Sequence, residues 1–102
     1  FYQIGLFSLD VKEQKLKLGT EEKKLTLKET KLLSLLAQKV NTITKRENIL
    51  VNLWGKDDYF LGRSLDVFIS RLRKYLIEDP TIQIENIRGV GFKLVVLEKE
   101  VK

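Results

Sequence analysis

The segment from Arg63 to Asp79 constrains the fold most, because its apolar residues recur at the spacing of an α-helix. At about 100° per residue, four of them share one face: Leu65, Ile69, Leu72 and Leu76. The opposite face carries Arg63, Val67, Ser70 and Lys74, with Arg71 beside them. Pro80 marks the end of the segment. The pattern predicts a helix that packs inward on its apolar face and presents cations outward.

Residues 82–97 predict a β-hairpin directly after this helix. Apolar residues bracket the sequence RGVG at 88–91 on both sides. A G-x-G sequence could instead cradle a phosphate, but that motif follows a strand and opens a helix, whereas this one joins two strands. We therefore interpret Gly89 and Gly91 as residues that give a tight turn its backbone freedom. Arg88 would then be displayed at the tip.

The first 27 residues predict a small antiparallel sheet. The sequences KLKL and KLTL alternate polar and apolar residues with the period of a half-buried strand. The sequences DVKEQK (10–15) and GTEEKK (19–24) are typical of turns between such strands.

Two more helices are predicted between this sheet and the basic helix. Each starts with T-x-x-E, the spacing of a capping box that satisfies free backbone donors. The pairs are Thr26 with Glu29 and Thr44 with Glu47. The apolar faces are Leu32, Leu33, Leu36 and Val40 in the first helix, and Ile49, Leu50, Leu53 and Trp54 in the second. Asn41 and Gly55 are predicted to end these helices, and residues 42–43 leave room only for a short extended link.

The residue types present exclude several classes of function. The 102 residues include no cysteine and no histidine, so disulfides, thiolate chemistry and histidine-based catalysis are impossible. We therefore predict neither an enzyme nor a cofactor or metal. The lack of cysteine fits a reducing cytoplasm, and the short apolar runs cannot span a bilayer. The net charge of +5 and the pI near 9.5 fit a nucleic-acid binder, although the charge is spread along the chain.

The order of elements resembles a winged helix-turn-helix, an α+β fold. Four sequences resemble, in order and spacing, the C-terminal effector domain of OmpR/PhoB-type bacterial response regulators. They are LTLKETKLLSLLA, ITKRENILVNLWG, RSLDVFISRLRKYL and IRGVGFKL. The resemblance implies an N-terminal antiparallel sheet (1–27), a three-helix core (28–80) and a C-terminal hairpin wing (81–97).

The resemblance also implies a function and partners. Members bind double-stranded promoter DNA in the bacterial cytoplasm, as head-to-tail dimers on direct repeats, and we expect the isolated domain to be monomeric. A receiver domain usually precedes them and is phosphorylated by a cognate histidine kinase. Because this chain begins at Phe1 without a receiver, we expect it to be the excised DNA-binding half.

The basic helix is expected to enter the major groove, and Arg88 the adjacent minor groove. Arg71 is expected to donate two hydrogen bonds to a guanine edge, and Lys74 to contact a phosphate. Val67 would contact a thymine methyl group, and Ser70 a phosphate or a base. A basic face that is merely solvated is the alternative.

Three other positions complete the predicted DNA contacts. Arg63 is expected to contact a phosphate, or to pair with Asp57 or Asp58. Ser64 would cap the basic helix, donate to a phosphate, or do both. Asn86 stands where the family often has threonine, and it can still donate a hydrogen bond.

Some positions depart from the family or stay ambiguous. Phe68 stands where the family often has histidine, and Thr30 where it usually has an aromatic residue. Arg73 is predicted either to form a salt bridge, with Asp66 or Glu78, or to contact DNA. The modest charge and Phe68 favour the alternative function, a winged-helix module for protein contacts.

The loop GKDDYFLG at residues 55–62 resembles the family's transactivation loop. Its exposed candidates for contact with RNA polymerase are Asp57, Asp58 and Tyr59. An ordinary polar connection between two helices is the alternative interpretation.

Overall fold

A computed structural model describes residues 1–55 and 61–97, and it has the predicted α+β architecture. Within these residues, four strands come first: β1 (Tyr2–Ile4), β2 (Phe7–Asp10), β3 (Lys15–Leu18) and β4 (Glu21–Lys24). Next come α1 (Leu27–Ala37), β5 (Ile43–Lys45), α2 (Arg46–Trp54) and α3 (Leu61–Tyr75). The hairpin strands β6 (Ile82–Ile87) and β7 (Gly91–Val96) follow. The first sheet has the order β1-β2-β3-β4 and the second β5-β7-β6.

The N-terminal sheet contains a strand where a turn was predicted, and the predicted strand KLTL (24–27) is wrong, because Thr26 caps α1 and Leu27 begins it. Residues 21–24 form β4, and all four side chains are exposed, so the strand has no apolar alternation to reveal it. It pairs with β3 along the backbone, and Glu22 lies 3.8 Å from Lys15 and 3.5 Å from Lys17. Such exposed ion pairs contribute about 0–1 kcal/mol, so the backbone ladder mainly holds the strand. Its charges also disfavour edge-to-edge pairing with other chains.

The predicted apolar face of α3 is confirmed. Its four members Leu65, Ile69, Leu72 and Leu76 are all buried in one core with residues of both sheets and the other helices. In α1, Leu32, Leu33 and Leu36 join the same core. Val40, predicted as part of that helical face, lies beyond the end of α1 and packs on the core from a turn. The core therefore fixes which face of α3 points outward.

The first predicted capping box is confirmed. The Thr26 hydroxyl accepts a hydrogen bond from the Glu29 amide at 3.2 Å, and the Glu29 carboxylate accepts one from the Thr26 amide at 2.8 Å. The other Glu29 oxygen accepts a hydrogen bond from the Tyr75 hydroxyl at 2.8 Å. Thr30, buried beside this cap, donates its hydroxyl to the Thr26 carbonyl at 2.9 Å. Glu29 therefore joins the start of α1 to the end of α3.

Glu29 is held as a carboxylate despite its burial. Burial alone raises its pKa, but the hydrogen bonds from Thr26 and Tyr75, with the charge of Arg71, lower the pKa below its ordinary value of 4.5. Burial of Tyr75, together with its hydrogen bond to Glu29, raises the pKa of that hydroxyl. The hydroxyl thus remains a donor to the carboxylate at neutral pH.

Replacing the Glu29 carboxylate should make the free energy of unfolding less dependent on pH in the acid range. Glu29→Gln is expected to lower the free energy of unfolding at pH 7 by roughly 1–2 kcal/mol, because hydrogen bonds to a charged group are weakened. A lowered pKa in the folded state gives stability that is present above pH 4.5 and lost as the pH falls through the folded value. Urea denaturation at a series of pH values from 7 down to the acid range should therefore show that the difference in free energy of unfolding between variant and parent becomes smaller. A difference undiminished in acid would contradict this, and Glu13→Gln serves as an exposed control at pH 7.

The second predicted capping box is wrong. Thr44 lies in β5, opposite Phe92 of β7, so its extended backbone belongs to a sheet instead of a helix start. Lys45 is the N-cap of α2 and makes no side-chain capping bond. Among the described residues, the buried Thr44 hydroxyl has no hydrogen-bond partner. The predicted link before α2 is therefore the third strand of the wing sheet, while Gly55 ends α2 as predicted, with φ 79°.

Helix α3 is shifted towards the N-terminus relative to the prediction of 63–79. It begins at Leu61 and ends at Tyr75, so the prediction that Ser64 caps it is wrong, and Asp66 lies beyond the first turn. Asp79, predicted as helical, is buried in the following turn. Its carboxylate accepts hydrogen bonds from the Leu6 amide at 2.7 Å and from the Thr81 amide at 3.0 Å. This side chain joins the N-terminal sheet to the start of the wing.

No helix in the described ranges is long and apolar enough to cross a membrane.

Candidate nucleic-acid interface

The outward face of α3 brings six of the predicted contact residues together. All are exposed in the described structure: Arg63, Ser64, Val67, Ser70, Arg71 and Lys74. They extend over about 16 Å along the helix at about 1.5 Å per residue. Asp66 joins four of them in lining a shallow open groove on this face. The arrangement places three cations, two hydroxyls and one apolar side chain together on the exposed face of α3.

The tip of the wing displays Arg88 as predicted. Arg88 is exposed in the turn between β6 and β7, and Gly89 follows it with φ 75°. A left-handed residue at this point suits glycine, because a side chain would be strained there. The exposed Asn86 lies near the end of β6, opposite Phe92. The wing therefore offers one cation and one amide beside the helix face.

The predicted role of Gly91 in turn freedom is wrong. Its φ is not positive, and it is the first residue of β7, where it pairs with Lys45 of β5. A Cβ at this position would collide with the Thr44 carbonyl oxygen and lie 3.0 Å from the Arg46 amide nitrogen. Gly91 is therefore required for the close approach of two backbones.

Arg46 is a structural residue that the sequence patterns did not single out. Its amide donates to the Val90 carbonyl at 3.0 Å, which ties the start of α2 to the wing tip. Its guanidinium lies 3.8 Å from the Asp66 carboxylate and against Gly62, where a Cβ would collide with it. One residue thus links the wing, through its backbone amide, to α3, through its side chain. These contacts are distant in sequence, so no local periodicity reveals them.

Arg73 contacts the wing instead of forming the predicted salt bridge. Its guanidinium donates two hydrogen bonds to the Ile84 carbonyl, at 2.7 and 3.2 Å. This joins the last turns of α3 to the edge strand β6. Asp66, one of its predicted partners, instead pairs with Arg46.

Phe68 lies at the edge of the apolar face, as predicted, and is half-buried. Its ring centroid is 5.9 Å from that of Trp54, which packs partly buried against the core. The Arg71 guanidinium lies 5.3 Å from the centre of the Phe68 ring. An aromatic ring therefore supports one of the predicted base-reading side chains.

The three candidates for contact with RNA polymerase, Asp57, Asp58 and Tyr59, lie outside the described residues. The predicted pairing of Arg63 with Asp57 or Asp58 lies outside them for the same reason. Within the described part of the chain, no group of acidic side chains could hold a metal ion.

Comparison with known proteins decides the family. Residues 20–94 match the family described as "Transcriptional regulatory protein, C terminal". The chain belongs to this family. It is an effector domain of the OmpR/PhoB type, and the family and the fold are those of transcription regulators, not of enzymes.

Individual relatives resemble the effector domain over nearly its whole length. The transcriptional regulatory protein RprY of Bacteroides fragilis is 46% identical over 97% of this chain, which spans 42% of that relative. The DNA-binding domain of CpxR from E. coli superposes with a TM-score of 0.82 at 26% identity, covering 92% of this chain and 94% of that one. The RstA DNA-binding domain of Klebsiella pneumoniae, solved in complex with the RstA box, has a TM-score of 0.76 at 32% identity. The superposition with RstA covers 91% of this chain and 94% of the RstA chain.

Proposed function

We propose that this effector domain binds double-stranded promoter DNA with sequence specificity and thereby controls transcription. The observation that carries the proposal is the exposed cationic face of α3, whose opposite face is fixed in the core beside the wing. Cations on a rigid helix neutralise phosphates and release counterions, which favours association with DNA. The similar RstA domain in complex with the RstA box supports this function.

Helix α3 lies in the major groove in this proposal. Arg71 donates to a guanine edge, and Val67 contacts a thymine methyl group. The remaining members of the face position the helix on the backbone, with Ser70 within reach of a base as well: Arg63, Ser64, Ser70 and Lys74. Asn86 on β6 adds a donor beside the helix. Because the core holds α3 rigidly, these side chains meet the groove in one orientation.

Arg88 reads the minor groove in this proposal, and its removal provides a test. Arg88→Ala is expected to weaken binding roughly tenfold and to reduce the preference for A·T pairs beside the main contacts, because a narrow A·T-rich groove attracts arginine. Titration of duplexes that differ only in those flanking pairs measures both effects. Lys12→Ala removes one exposed charge from the N-terminal sheet as a control. Unchanged affinity and preference would reduce the wing to a structural hairpin.

The assembly and the partners of the parent protein are part of the same proposal. We infer head-to-tail dimers on direct repeats, with the isolated domain monomeric in solution. Asp57, Asp58 and Tyr59 are proposed to contact RNA polymerase, and a cognate histidine kinase to act on a receiver domain of the parent protein in the cytoplasm. These inferences rest on the family resemblance, and the curated relatives are more than twice as long as this chain.

Selection of bound sites from random duplexes tests the proposal. The domain is expected to enrich sites that contain two spaced half-sites in the same orientation. Half-sites in inverted orientation would contradict head-to-tail assembly. A failure to enrich any sequence would contradict sequence-specific binding itself.

A further inference from the structure

Four side chains from three helices form a column in which two aromatic rings lie between two cations, one of them on the outward face of α3. Lys28 of α1 lies 5.8 Å from the centre of the Trp54 ring in α2. Trp54 and Phe68 have their ring centroids 5.9 Å apart at a tilt of 54°. Arg71 completes the column, 5.3 Å from the Phe68 ring centre. The two rings are half-buried and pack against the core. Arg71 is the exposed cation at the outer end of the column.

Arg71 also lies within the electrostatic reach of a buried carboxylate. Phe68, Arg71 and Tyr75 occupy positions i, i+3 and i+7 of α3, and residues at such spacings are neighbours along a helix. The Tyr75 hydroxyl donates to the buried Glu29 carboxylate, and the positive charge of Arg71 helps to lower the pKa of that carboxylate. The guanidinium therefore lies over an aromatic ring and also interacts with the negative charge of Glu29.

We propose that Phe68 positions Arg71 for base recognition and thereby determines specificity at the base pair that Arg71 contacts. This inference rests on the proposed function. A guanidinium that lies over a ring contacts it through its π face, while its N–H donors remain available to a guanine edge. Arg71 also lines the open groove of α3, where a base edge would lie. Contact with the ring limits the rotamers of an exposed arginine before DNA arrives, so less conformational freedom is lost on binding.

The free domain gives the first test, without DNA. Protons above a ring are shifted upfield in NMR spectra, so the side-chain protons of Arg71 should show such a shift and restricted motion of the Nε–H group. Phe68→Leu should abolish both effects, since it keeps an apolar side chain without a ring, and Phe68→Tyr should preserve them. Phe68→Met is a second ringless variant if the leucine variant unfolds, as judged by thermal unfolding. A parent domain without the ring shift would overturn the proposal, whatever the domain binds.

Binding to the selected site gives the second test. The base pair at which Arg71→Ala removes discrimination identifies the contact of Arg71. At that pair, Phe68→Leu is expected to reduce discrimination about two- to fivefold, as an exposed cation–π contact allows, and to leave the other pairs and the salt dependence unchanged. In the Arg71→Ala background, Phe68→Leu should have no further effect on discrimination.

The outcomes separate this inference from the proposed function. If Phe68→Leu weakened discrimination equally at every base pair, or left it unchanged at the pair that Arg71 contacts, Phe68 would only pack the helix. Sequence-specific binding would still stand. A parent domain that discriminates no base pair would overturn both the proposed function and the specificity role. In that case the NMR shift would still report whether the ring holds Arg71.

Discussion

Reversing the charges of Arg71 and Lys74 together should weaken binding to the selected duplex by at least about a hundredfold. One base contact and one phosphate contact are lost, and a lost base contact alone costs about 1–3 kcal/mol. The new carboxylates also repel the phosphates. Both side chains are exposed on α3, so Arg71→Glu with Lys74→Glu should leave the fold intact. Fluorescence anisotropy at one fixed salt concentration measures the change.

A matched charge change elsewhere controls for the loss of net positive charge. Lys12→Glu with Lys24→Glu alters two exposed residues of the N-terminal sheet and should cost far less affinity. If both double variants weakened binding equally, the domain would bind through its overall charge and not through α3. If the parent domain caused no DNA shift in a gel and the α3 variant still bound a protein partner normally, the alternative function in protein contacts would be supported instead.

Gly91→Ala should be among the most destabilising single substitutions in the wing sheet. The added Cβ would collide with the Thr44 carbonyl oxygen, which is backbone and has no alternative rotamer. Overpacking of this kind costs about 1–3 kcal/mol, and here it would separate β7 from β5. Chemical denaturation measures the loss in free energy of unfolding. Hydrogen exchange should show faster exchange for the β5 and β7 amides, whose pairing includes Thr44 with Phe92.

Gly19→Ala and Gly89→Ala are the matched controls for Gly91→Ala. Both glycines have positive φ, at 59° and 75°, and a Cβ at either would meet nothing within 4 Å. Their loss in free energy of unfolding should therefore come from backbone strain alone, about 1–2 kcal/mol. A Gly91→Ala variant as stable as the parent would show that β5 and β7 can move apart at little cost.

The sequence predicted those elements whose signal is local. The apolar face of α3 follows from helical spacing, and burial of Leu65, Ile69 and Leu72 confirms it. The hairpin follows from two apolar runs on either side of the turn that contains Gly89. In both elements the side chains that pack against the core are apolar. The spacing of apolar residues along the chain therefore predicts which residues are buried.

The elements missed are those that a distant partner defines. β4 is wholly exposed, and β5 is three residues long and exists because β7 pairs with it. Helix α3 ends at Tyr75. The turn that follows is fixed by a hydrogen bond from the Leu6 amide to Asp79, two residues that are 73 positions apart. Thr44 satisfied the spacing of a capping box but lies in the wing sheet. Spacing along the chain cannot report such contacts.

The candidate site was partly predictable for the same reason. The exposure of Arg71, Lys74 and Arg88 follows from a helix face and a hairpin tip. The hydrogen bonds of Arg73 to Ile84 and the contacts of Arg46 with the wing and α3 depend on tertiary packing. Those two arginines are positively charged like their neighbours, yet the fold uses them to hold the wing and α3 together.

The proposed specificity is tested most directly by titrating the selected duplex and a scrambled duplex of equal length over a series of salt concentrations. Both affinities are expected to fall as salt rises. In a plot of the logarithm of the association constant against the logarithm of the salt concentration, the slope should be near −0.9 for each phosphate neutralised. At physiological salt the selected duplex should bind at least about a thousandfold more tightly than the scrambled one. Equal affinity for the two duplexes at that salt concentration would contradict sequence-specific recognition by α3 and the wing.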